Sequence, residues 1–125
     1  MSDALIEEWR PDRVDGSRLD TEIGMLADVL HAAVHDGASV SFVLPFELGE
    51  ARAYWRDEVV PEIRRGMRRV LIARIGEEIT GTVQLKLDGP PNGRHRAEVI
   101  KLLVHPKARR QGVRRKLMLA LEEVA

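Results

Sequence analysis

The chain has 125 residues, 44% of them hydrophobic and 32% charged, a profile that can build one buried core and excludes an intrinsically disordered chain. Cysteine is absent, which excludes disulfides, thiolate metal sites and cysteine nucleophiles. The formal net charge of +0 hides an asymmetry: residues 1–62 carry five arginines against 14 carboxylates, and residues 63–125 carry 15 lysines and arginines against six carboxylates.

The opening stretch is acidic with no basic or apolar leader pattern, and no apolar run approaches the roughly 18 residues that span a bilayer. The expectation is therefore a soluble, cytoplasmic protein with a single domain over residues 1–125. Residues 4–10 read as a first strand, ended by Pro11 and Gly16. Asp20 then precedes Ile23, Leu26, Ala27, Leu30 and Val34 at helical spacing, with Asp20 as the expected N-cap and Gly37 as the stop. After an apolar loop at 41–46, a second helix is expected from Glu47 to Arg65, with Ala51, Tyr54, Trp55, Val59 and Ile63 facing inward and a kink at Pro61.

The period then changes to that of strands. Arg69–Ile75 and Ile79–Leu87 are rich in β-branched residues and are separated by Gly76-Glu77-Glu78, a tight-hairpin signal. A turn cluster at 88–93 leads to a third strand after it, Arg96–Val104, and the segment from Val113 to Ala125 is helical with Leu117, Leu121 and Val124 on one stripe. The order βααβββα predicts an α/β domain of the mixed α+β kind, with helices packed on a mostly antiparallel sheet. Its last helix reaches Ala125 without a stop signal, so an incomplete domain is expected.

Chemistry concentrates at residues 97–124. From Lys107 to Lys116 there are six cations and no acid, which reads either as a phosphate-binding site or as a solvated face. A loop feeding a helix N-terminus presents unpaired N–H groups and the positive end of the dipole, so Arg109 to Arg115 could cradle an anion, with Gly112 allowing a tight turn. By strand alternation Arg96, Glu98, Ile100, Leu102 and Val104 share a face. A carboxylate there is either a general base with a raised pKa or an ion-pair partner. His31 and His35 stand one helical turn apart with no third ligand in view, so no metal is expected. The scattered aromatics argue against a base-stacking surface and hence against nucleic acid.

These residues resemble motif A of the GCN5-related N-acetyltransferases. Val104-His105-Pro106 matches the end of the family's strand, and Arg109-Arg110-Gln111-Gly112-Val113 matches its loop, whereas Arg114 stands where the family has a small residue. The resemblance implies the acyl-CoA N-acyltransferase fold without its C-terminal strands, and acetyl-CoA as cosubstrate. It further implies that Arg109, Arg110, Gln111, Gly112, Val113, Arg114 and Arg115 hold the pyrophosphate and that Leu102, Leu103 and Val104 meet pantetheine through their backbone. Glu98, six residues before Val104, is similar in position to the family's glutamate base. The acceptor would be a small-molecule amine, reached near Ser39–Phe46; neither nucleic acid nor membrane is an expected partner. The alternative is a non-catalytic module that binds CoA weakly or forms a homodimer through its exposed strand edge.

Overall fold

The computed structural model describes residues 4–35, 47–88, 96–108 and 112–124. Strands β1 (Leu5–Glu8), β2 (Arg68–Ile75), β3 (Glu78–Asp88) and β4 (Arg96–Val104) form one sheet in the order β1-β2-β3-β4, with every neighbouring pair antiparallel. The helices are α1 (Gly16–His35), α2 (Leu48–Ala53), α3 (Val60–Arg64) and α4 (Val113–Val124). The mixed α/β class and the predicted order are both present.

Helix α1 starts a turn earlier than its apolar periodicity suggests. Asp15, rather than Asp20, is the cap: its Oδ1 accepts the N–H of Arg18 at 3.0 Å and the hydroxyl of Ser17 at 2.9 Å. Gly16, read as a breaker, sits at the first helical position, and the added turn brings Leu19 onto the core. The expected stop at Gly37 lies outside the described residues.

The second helix is one continuous rod in which α2 and α3 are joined by a π-helical turn, Tyr54–Val59. Pro61 has no N–H to give and its ring crowds the carbonyl four residues earlier, so the helix widens instead of breaking, and the Val60 N–H reaches the Trp55 carbonyl. The predicted kink takes this form.

Strand alternation divides the apolar side chains between two faces. On one, Val70, Ile72, Ile79 and Leu103 pack beneath α1 and the rod, around Leu26, Leu30 and Trp55. On the other, Leu71, Ala73, Val83 and Leu85 receive Val113, Leu117 and Leu121 of α4. Fully burying one such leucine contributes about 1.5–3 kcal/mol. The first face also buries a charge: Glu22, only 2% exposed, accepts the indole N–H of Trp9 at 2.9 Å and pairs with Arg74 and Arg18.

Candidate active site

The C-terminal end of β4 is irregular. Gln84 pairs with Ile100 and Thr82 with Leu103, so Lys101 and Leu102 together oppose Val83, and Lys101 has φ +49. This is a β-bulge, with a non-glycine residue in the left-handed region. It overturns the expectation that Arg96 through Val104 alternate without interruption. Before the bulge, Glu98 registers with Lys86 and Arg68, and Ile100 with Gln84 and Val70. After it, Leu102 and Val104 pack on the α4 side, whereas Leu103 is buried on the α1 side. Glu98 and Val104 therefore stand in rows belonging to opposite faces of the sheet.

Beyond β4, Pro106–Ala108 makes a short 3₁₀ turn and Gly112, with φ +73, opens α4. The first intrahelical bond runs from the Lys116 N–H to the Gly112 carbonyl at 3.0 Å. The amides of Val113, Arg114 and Arg115 come before it, in the first turn, where a helix offers its N–H groups no intrahelical acceptor. The helix can approach the sheet this closely because Gly81 has no side chain: a Cβ there would lie 2.8 Å from Val113 Cγ1 and 3.2 Å from the Leu103 carbonyl. Gly81 registers with Val104. The end of β4 and the start of α4 thus meet at one place, Val113 buried and Arg114 and Arg115 exposed. Lys116 ties the helix to the first strand's leading end, its Nζ donating to the Ala4 carbonyl at 3.1 Å. Arg109, Arg110, Gln111 and the expected acceptor loop Ser39–Phe46 lie outside the described residues.

On the α1 side of the sheet, beside the bulge, is a polar cluster that local pattern did not reveal. Arg68, 4% exposed, donates from Nη1 to Gln84 Oε1 at 2.6 Å and to the Tyr54 hydroxyl at 3.0 Å, and its other nitrogens hold Glu62 Oε1. Lys101 Nζ lies 5.3 Å from the centre of the Tyr54 ring. Because guanidinium can only donate, Gln84 must turn Oε1 toward Arg68, and its Nε2 is buried with no hydrogen-bond partner among the described residues. The sequence signal was a glutamine set between the apolar Val83 and Leu85.

The histidine pair on α1 does other work: the His35 Nδ1–H donates to the His31 carbonyl at 2.9 Å. Among the described residues no group of three or more His, Cys, Asp or Glu side chains could hold a metal ion, and no helix is long and apolar enough to cross a membrane.

The site offers an extended strand edge, since among the described residues β4 pairs only with β3, and a set of helix amides at the end of that edge. An elongated ligand terminating in phosphates fits this donor set. Comparison with known proteins bears on the family and the fold. The family model described as acetyltransferase (GNAT) family matches residues 26–125. The chain is similar to the PaiA N-acetyltransferase of Thermoplasma acidophilum in complex with coenzyme A (17% identity, TM-score 0.66, covering 96% of this chain and 71% of that one). It is similar also to a predicted acetyltransferase from Clostridium acetobutylicum with acetyl-CoA (11%, TM-score 0.60, 98% and 73%). A third likeness is to an aminoglycoside acetyltransferase from an uncultured soil metagenomic sample in complex with sisomicin (16%, TM-score 0.61, 97% and 68%).

Proposed function

The chain belongs to the acetyltransferase (GNAT) family, and from that premise we propose that it moves an acetyl group from acetyl-CoA to a primary amine carried by a small molecule. The observation that carries the reading is the junction of β4 and α4 at Gly81, Val104 and Val113. In this reading the first-turn amides of α4, with Arg109 and Arg110, hold the pyrophosphate through hydrogen bonds and charge. The backbone of Leu102, Leu103 and Val104 pairs with the pantetheine arm along the strand edge.

Acetyl-CoA supplies an activated thioester that a neutral amine can attack. The chain's own residues supply alignment, a proton acceptor and an electrostatic contact. One amide N–H of Leu102, Leu103 or Val104 would polarise the thioester carbonyl as a one-donor oxyanion contact. Glu98 takes the proton of the incoming amine, directly or through water, as the C–N bond forms and the C–S bond breaks, CoA leaving as a thiolate that takes a proton from solvent; the register row of Glu98 is that of Lys86 and Arg68 rather than that of Leu102 and Val104. Two reactants approaching from opposite faces would thus meet at the bulge, where alignment lowers the barrier by removing translational freedom.

The test is release of the CoA thiol, followed colorimetrically, with acetyl-CoA and a panel of amines including amino acids and aminoglycosides. Acceleration by at least one amine, with a matching mass gain of one acetyl group on that amine, is the expected result. Release that no amine accelerates would contradict it. A second reading, a homodimer formed through the β4 edge, is favoured by that edge having no strand partner among the described residues. Light scattering across a concentration series decides it, a monomer throughout excluding the dimer.

A further inference from the structure

The geometry assigns His105 as a positioning residue for cofactor binding: it fixes the turn that carries the chain from β4 to the anion-binding end of α4, and it does so as the Nε2–H tautomer. This inference rests on the cofactor reading above.

Among the described residues, the backbone amide bonds of the turn return to His105. Its own N–H donates to the Thr80 carbonyl at 2.8 Å, which keeps it on the sheet. Pro106 has no N–H. The Lys107 N–H donates to His105 Nδ1 at 3.2 Å, and the Ala108 N–H donates to the His105 carbonyl at 2.8 Å. Each amide of the 3₁₀ turn is therefore satisfied by a single residue, through both its side chain and its backbone.

The tautomer follows from the direction of these bonds. A backbone N–H can only donate, so Nδ1 is bare and the ring hydrogen sits on Nε2. Nε2 lies 3.2 Å from Asp28 Oδ2 on α1. Lys107 meanwhile reaches Glu78 Oε1 at the start of β3, at 2.6 Å. The turn is thus held from α1 and from β3 together.

The consequence falls on the cradle. Ala108 is buried at 2% and Val113 at 1%; they are the two fixed posts on either side of the segment that the cofactor reading assigns to the pyrophosphate. His105 determines where the first post stands. It is absent from both hydrophobic cores; its side chain is 18% exposed and that of its partner Asp28 57% exposed, so its removal acts first on the turn.

The test is calorimetric titration of CoA into the wild-type chain and the variants His105→Ala, His105→Asn and Asp28→Ala, with melting curves alongside. Two modest hydrogen bonds are lost in His105→Ala, so its CoA affinity should fall about tenfold. His105→Asn should recover most of that loss, because an asparagine Oδ1 accepts the N–H two residues on in an Asx turn. Asp28→Ala, which loses one arm, should weaken binding about threefold. Melting temperatures should fall by only a few degrees, least in Asp28→Ala and His105→Asn, and with an active amine the variants should raise KM for acetyl-CoA while leaving kcat unchanged. Should His105→Ala not fold, the Asn and Asp28 variants carry the comparison. Wild-type binding matched by His105→Ala, or no recovery by His105→Asn, overturns the assignment. Absence of CoA binding by the wild type overturns the cofactor reading itself and this assignment with it.

Discussion

Val113 lies against the bare backbone of Gly81, so close that an added Cβ would come within 2.8 Å of its Cγ1. A β-carbon also meets Leu103 O and Leu117 Cδ1 at 3.2 Å each, so neither the helix nor the strand can yield alone. Gly81→Ala should therefore push the start of α4 outward, at a cost of about 1–3 kcal/mol from overpacking. It should also weaken CoA binding more than it lowers the urea midpoint of the free chain would suggest. Denaturation and calorimetry on the one variant check both parts.

The Glu22 cluster predicts the acid limb of stability. Burial alone would raise the Glu22 carboxyl, but the Trp9 and Arg74 hydrogen bonds outweigh burial and hold it below its ordinary value of 4.5. A group depressed in this way stabilises the fold above its unfolded pKa and loses that contribution as pH falls through its folded pKa. Urea midpoints should be flat from neutrality down to about 4.5 and fall below it. Glu22→Gln should be less stable at neutral pH and show a shallower acid limb. Glu22→Ala, which leaves Arg74 its Glu7 ion pair but removes the acceptor of the Trp9 indole and of Arg74 Nη2, should cost about 1–3 kcal/mol.

Arg114 departs from the small residue of the family pattern, and its side chain is exposed on the first turn of α4. An outward arginine leaves the helix amides accessible. Arg114→Gly should accordingly hold CoA affinity within about threefold while lowering helix stability by about 1 kcal/mol. A gain of tenfold or more on calorimetric titration would identify the arginine as an obstruction.

For Glu98, the general-base role predicts that Glu98→Gln lowers kcat by about 10²- to 10⁴-fold and leaves the KM for acetyl-CoA unchanged. Steady-state kinetics with an amine found by the thiol-release panel reads both constants. An ion-pair role would show instead as a lowered melting temperature with kcat preserved.

The strands, the hairpin and the α4 stripe were legible because apolar periodicity is local and each buried face repeats it. Of the expected stripe, Leu117 and Leu121 fall where the helical period puts them, and the side chain of Val124 lies outside the described ones. The start of α1 was misread because Asp15 and Asp20 are equally good caps by composition, and the choice between them depends on Leu19 reaching the core. The bulge at Lys101 was not legible at all: no glycine or proline marks it, and Ile100-Lys101-Leu102-Leu103 reads as an ordinary strand. Only pairing with β3 shows the extra residue. Arg68, Tyr54 and Gln84 come from β2, the helical rod and β3, so their cluster exists only once the register is set. The motif at 104–113 located the candidate site, and what it could not convey is that the bulge puts Glu98 and Val104 in opposite rows.

The central claim is that cofactor binds where β4 ends and α4 begins. It is tested most directly by titrating acetyl-CoA into isotopically labelled protein and following backbone amide resonances. The largest shifts should fall on Leu102, Leu103, Val104, Gly112, Val113 and Arg114, with Gly81 moving beside them. Shifts confined to α1 and β1, or no shifts at millimolar acetyl-CoA, would contradict it.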